Sequence, residues 1–233
     1  DMILGSYFLT MVREDEVAAG KVFRDFNEAL MAYQAAVVGL HAPIKVRVSK
    51  EIGNTKVSRI IDVTVGRIIF DDPIPQDLGY VDRTDPERMF DFEINFLAGK
   101  KQLGKIIDRC IKVHGTARTA EVLDEIKAQG YKYSTKSAIT VAVCDATIPE
   151  QKKQIIADAE QEIDDITEEF KMGLLSDNER YNAVLKTWEK ATSDVTDALQ
   201  KGLYQYNPIF MMADSGARGS MSQIRQLAGM RGL

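Results

Sequence analysis

The sequence predicts an α+β fold, mixed helices and short strands with a protruding antiparallel two-helix coiled-coil hairpin. Three observations predict it. Ile44, Val46 and Val48 alternate with Lys45, Arg47 and Ser49, the two-residue period of a half-buried strand. Apolar residues between 101 and 129 recur every three or four positions, the period of amphipathic helices. Between Pro149 and Lys201 that spacing runs twice, broken once by turn-forming residues.

Residues 1–12 are apolar with little polar relief, which leaves helix and strand both open. Phe26, Ala29, Leu30, Tyr33, Ala36 and Val37 predict a helix over 25–38. After Pro43 comes the alternating strand. Gly53-Asn54 then predicts a turn into a second strand over 57–63, which makes a hairpin. The apolar run 65–70 is too short to assign. Pro73, Pro75 and Pro86 mark 71–86 as loop. Two helices are expected at 101–113 and 116–129, the second stopped by Gly130. A short strand is expected at 139–143.

The spacing is most regular in the last third. Ile155, Ala159, Ile163, Ile166 and Phe170 form one apolar seam, and Tyr181, Val184, Trp188, Ala191, Val195 and Ala198 form a second. Such seams let two helices pack along their length. Between them, Gly173 suits a left-handed helix stop. Ser176-Asp177-Asn178-Glu179 has the serine and glutamate spacing of a capping box. A link this short forces the helices antiparallel. The chain therefore divides into 1–148 (mixed α/β), 149–201 (helical hairpin) and 202–233 (a Gly/Arg-rich loop with a short helix).

Composition narrows the function classes. The net charge of −5 gives no overall attraction for nucleic acid. Residues 150–171 carry eight acids against three lysines, so one helix accounts for that charge, either as a solvated face or as an acidic arm that basic partners find by steering. Cys110 and Cys144 lack metal-ligand or redox spacing and read as reduced core residues. His41 and His114 stand apart, which argues against zinc. No apolar run reaches membrane-spanning length. The first residue is not methionine and the last lies in a glycine-rich run, so a segment of a longer polypeptide is expected.

The chemistry is expected in the tail. Gly216-Ala217-Arg218-Gly219-Ser220 combines backbone freedom with a guanidinium, and Arg225 falls on a short helix expected over 220–227. Arginine beside exposed amides suits polyphosphate oxygens, although the run is neither a Walker A motif nor a dinucleotide fingerprint.

The run from Met211 to Ser220, followed by Gln223-Ile224-Arg225-Gln226-Leu227-Ala228-Gly229-Met230-Arg231, resembles the β′ subunit family of bacterial DNA-directed RNA polymerase, in the segment just before the bridge helix. The resemblance extends backward through Ile148-Pro149-Glu150-Gln151-Lys152, Glu179-Arg180-Tyr181-Asn182, Thr64-Val65-Gly66-Arg67 and Asp1-Met2-Ile3-Leu4-Gly5, and is weakest over 71–135. It implies a wall of the nucleotide-entry (secondary) channel. Arg218, helped by Met212, Asp214 and Arg225, would meet incoming nucleoside triphosphate. The hairpin 149–201 would form the channel rim, with Glu179, Arg180 and Asn182 facing Gre-type cleavage factors. Ala183 and Lys186 depart from the basic and acidic residues that bind guanosine tetraphosphate in some bacteria, so no alarmone site is expected.

The resemblance further implies a cytoplasmic enzyme, with β and the rest of β′ as partners and no membrane. The whole enzyme would use Mg²⁺ for nucleotidyl transfer. The family's metal-holding NADFDGD run is absent from these residues, so the segment alone is expected to be inactive. Two other readings compete. An independent interaction module would use the acidic hairpin and have no need of Arg218. A stand-alone enzyme would need a base or nucleophile cluster that the sequence lacks.

Overall fold

The computed structural model describes residues 1–52, 55–85 and 88–231. It divides into two compact units, Asp1–Ile139 with Ser215–Ala217, and Thr140–Asp214 with Arg218–Leu233. Among the described residues there are eight α-helices and one three-stranded sheet, the α+β class that the sequence predicts.

In the first unit the open N-terminal run is a helix, α1 (Met2–Thr10), whose Leu4, Tyr7 and Leu9 are buried. A two-residue strand β1 (Val22–Phe23) precedes α2 (Phe26–Gln34). Asp25 caps α2 by accepting from the Glu28 amide. The helix ends four residues before the expected 38. The Val37 N–H turns back to the Ala32 carbonyl (2.9 Å), and this closure puts Ala36 at φ 56°.

Strands β2 (Pro43–Ile52) and β3 (Thr55–Thr64) pair antiparallel, with β1 parallel at the other edge of β2. The predicted turn residues Gly53 and Asn54 lie outside the described residues. Register sets Ile44 opposite Val63 and Val46 opposite Ile61, all four buried. On the opposite face, exposed Lys45 meets Asp62 at 3.9 Å. The alternation read in the sequence therefore separates core from water.

The unassigned run 65–70 is helix α3 (Val65–Asp71), capped by the Thr64 hydroxyl on the Arg67 amide. A Cβ on Gly66 would overlap the Leu9 carbonyl oxygen, and Arg67 Nε donates to the Thr10 carbonyl at 3.2 Å. The Thr64–Arg67 motif is thus the joint that seats the end of α1.

The loop that follows is tied from inside. Glu93, fully buried, accepts from the Tyr80 and Val81 amides and from Arg83 at 3.0 Å. Arg83 also donates to the carbonyls of Met89, Asp91 and Gln76.

Helix α4 (Lys100–Ser137) breaks at Gly115 (φ 77°, ψ −179°), between the two predicted helices. Gly130 does not stop the second half, which runs on to Ser137. The glycine is there because a Cβ on it would stand 2.7 Å from the Met2 carbonyl oxygen. It admits α1, and helix continuation costs only the usual glycine penalty.

The second unit opens with a correction. Residues 139–143 form no strand: Val141 is 56% and Val143 95% exposed, and a 3₁₀ turn, Val143–Asp145, follows. No neighbouring strand satisfies their amides, and β propensity alone does not make a ladder. Cys144 is accordingly exposed rather than core, whereas Cys110 is buried as expected.

The hairpin is present as α5 (Lys152–Lys171) and α6 (Asp177–Gly202), packed on each other. Ala159, Ala191 and Val195 are buried on the seam, and Thr187 joins them. Toward the tip the seam opens. Phe170 and Tyr181, expected within it, are exposed, and Arg180 lies over the Phe170 ring at 4.9 Å. Helices α7 (Pro208–Asp214) and α8 (Met221–Ala228) close the unit. Leu199 and Leu203 at the end of α6 form a small core with Ile224 and Ala228 of α8, and Ile209, Phe210 and Ala213 of α7 pack against it.

Candidate functional site

The tail residues are held by short-range chemistry. Asn207 fastens the start of α7, accepting from the Ile209 amide at 2.9 Å and donating to the Asp145 carbonyl at 2.8 Å. Helix α7 was not foreseen, because Pro208 and a seven-residue run give too few turns to show a period. Met212 is half-buried on it, and Asp214, its last residue, is exposed.

A turn built on two left-handed glycines follows, Gly216 at φ 71° and Gly219 at φ 83°. Side chains other than glycine rarely take those angles, so the glycine spacing read in the sequence reflects a backbone demand. Arg218 sits between them, exposed, with its amide donating to the Met212 carbonyl at 3.2 Å. Its guanidinium has no ion pair or hydrogen bond among the described residues. Ser220 caps α8 in a reciprocal box with Gln223. Arg225 is half-buried near the end of α8, and its Nε is buried without a partner among the described residues. The structure thus brings the Met212 backbone to Arg218.

Sequence reasoning missed Ser215. It is 1% exposed, and its carbonyl accepts from the Lys100 amide at 2.9 Å, at the first residue of α4. The available signal was Gly99, where a Cβ would stand 3.2 Å from that same oxygen.

At the hairpin tip the capping box is complete. Glu179 accepts from the Ser176 amide (2.8 Å) and hydroxyl (2.6 Å), and these bonds hold its carboxyl below the usual range. Arg180 pairs with Asp177 at 2.8 Å. Asn182 and Lys186 are exposed and Ala183 half-buried. Glu179 and Arg180 are therefore partly committed to the tip itself, while Asn182 faces water.

Among the described residues no group of three or more His, Cys, Asp or Glu side chains could hold a metal ion. No helix is long and apolar enough to cross a membrane.

Comparison with known families places the chain in one class of protein, the RNA polymerase large subunits of the Rpb1 type. The profile of RNA polymerase Rpb1, domain 3, matches residues 1–146, and that of Rpb1, domain 4, matches 156–233. The chain belongs to this family. Relatives named DNA-directed RNA polymerase subunit beta′ are similar along its whole length: 52% identical in Acetivibrio thermocellus, 54% in Thermoanaerobacter pseudethanolicus and 53% in Clostridium acetobutylicum. In each the match covers 100% of this chain and 20% of the relative. The chain spans about one fifth of the length of these curated relatives.

Proposed function

We propose that this chain is the part of a cytoplasmic DNA-directed RNA polymerase that lines the nucleotide-entry (secondary) channel. In this reading Arg218 holds the phosphates of the incoming nucleoside triphosphate, with Met212, Asp214 and Arg225 shaping the floor around it. The hairpin serves as a coiled-coil rim where Glu179, Arg180 and Asn182 meet Gre-type cleavage factors. The chain divides by role into a wall (1–148), a rim (149–201) and a substrate loop (202–233), and no alarmone binds at Ala183 and Lys186. Its partners are β and the rest of β′. Mg²⁺, held by residues elsewhere in the subunit, supplies the charge stabilisation of nucleotidyl transfer, and the segment alone is inactive.

The observation that carries this reading is the exposed guanidinium of Arg218, unpaired among the described residues, on a turn whose two glycines fix its backbone. A phosphate needs such a donor. The test is Arg218→Ala in assembled polymerase. The apparent KM for nucleoside triphosphate should rise about tenfold, the loss expected for one charge-assisted contact. An unchanged KM and rate would refute the phosphate role and leave the chain as an interaction platform.

A further inference from the structure

We propose that the cleft bounded by α2, α3 and the second half of α4 binds a small organic cation with an apolar body, held by Asp71 Oδ2 and Gln129 Oε1. The cleft encloses about 420 Å³, within the range of small-molecule sites. Its walls are Phe26, Leu30, Ile68, Ile69, Ile74 and Phe92. Two of them, the rings of Phe26 and Phe92, pack against each other with centroids 5.1 Å apart and give the cleft an aromatic wall.

The polar atoms in this cleft are unequally used. Asp71 is 2% exposed, and its Oδ1 accepts from Gln76 Nε2 and from the Ile94 amide, both at 3.2 Å. Gln129 Nε2 donates to the Ile69 carbonyl at 2.9 Å, which fixes the amide and turns its oxygen away. What remains is Asp71 Oδ2 and Gln129 Oε1, both buried and neither with a partner among the described residues. Buried acceptors left unpaired cost free energy. With Asp71 ionised both atoms are acceptors, so a molecule that completes them in that state must donate.

Charge points the same way. Asp72 adds a second carboxylate to the lining, which holds no lysine, arginine or histidine. Burial, the largest cause, pushes the Asp71 carboxyl up to about 7. Nearby Glu93 adds to the shift, while the Gln76 and Ile94 hydrogen bonds and the Arg67 charge oppose it. Neither α2 nor α4 adds a charged lining residue, since they contribute Asn27 and Gln129. A carboxyl so poised ionises when a cation arrives.

Benzamidine is the probe, offered to assembled polymerase and followed by ligand-observed NMR. Saturation transfer is expected, with affinity falling about tenfold in Asp71→Asn and in Gln129→Met, as for loss of one charged or polar contact. Asp71→Asn keeps the Oδ1 acceptor that the loop needs, so loss of binding is not loss of fold. Affinity of the unaltered enzyme should rise between about pH 6 and 8 and stay level in Asp71→Asn. Toluene should bind more weakly. The absence of transfer, as when the remaining four fifths of the subunit covers the cleft, would overturn the proposal. So would equal affinity in both variants, or equal binding of toluene. None of these outcomes bears on Arg218.

Discussion

Gly5 and Gly130 meet backbone to backbone: a Cβ built on Gly5 would overlap the Gly130 carbonyl oxygen. Helices α1 and α4 therefore approach to a distance that only hydrogen side chains permit. Gly130→Val should push them apart and destabilise the first unit by about 3 kcal/mol, the upper end of core overpacking. Hydrogen exchange reads it directly. Unchanged protection of the Tyr7 and Leu9 amides would contradict the expectation.

Two buried groups set opposing pH dependences. Burial raises the Asp71 carboxyl from 3.8 to about 7. The folded state thus keeps a proton that the unfolded chain loses, and stability falls as pH rises from about 4 to 7, by on the order of 4 kcal/mol. Burial, aided by the Arg13 charge, lowers His41 from 6.5 to about 4. Its contribution is fully present above 6.5 and is lost as pH falls toward 4, by on the order of 3 kcal/mol. Between those limits the slopes offset. Asp71→Asn should unmask His41, so that the urea midpoint climbs steadily with pH over that window. A flat profile in the variant would refute the pairing.

The ion pair inside the 72–99 loop should respond asymmetrically. Glu93 is fully buried while Arg83 keeps 28% side-chain exposure. Arg83→Ala strands a buried charge and should cost about 3–5 kcal/mol. Glu93→Gln removes the charge, keeps an acceptor for the Tyr80 amide, and should cost less. Thermal unfolding of the two variants gives the order, and the reverse order would exclude a dominant role for the stranded charge.

At the hairpin tip, Ser176→Ala should release Glu179. The carboxyl, held low by the Ser176 bonds, should move back up toward its ordinary range, which an NMR titration detects. The cap's contribution is present above that ordinary range and fades as pH falls through the depressed value. First-turn amides of α6 should exchange about fivefold faster in the variant at neutral pH. A Glu179 titration identical in both proteins would show that the box contributes nothing.

The sequence made the hairpin readable because its determinants are local. The capping box of Ser176 and Glu179, the stop at Gly173 and the core spacing around Ala191 and Val195 all lie within a few turns of what they control. The β2 alternation was readable for the same reason. The misread features depend on distant partners. Gly130 looks like a helix stop until α1 is present to need its missing side chain. Residues 139–143 carry strand-forming side chains but find no strand to pair with, which also leaves Cys144 in water. In the candidate site, the glycine angles flanking Arg218 follow from composition. The clasp between Ser215 and Lys100, and the meeting of Asp71 with Gln129, join residues far apart in the chain and leave no local signature.

The kink at Gly115 has a consequence for the order of assembly. Two torsion angles at one residue aim the half of α4 that carries Gly130, Val122 and Ile126. The seat for α1 thus exists only after residues at the opposite end of the first unit's sequence have been synthesised and turned. Contacts this remote in sequence form late, since the entropy of closing the intervening loop comes first. An apolar nine-residue helix emerging from the ribosome must wait unseated, exposed to aggregation or to a chaperone, until a single glycine bends its partner into place.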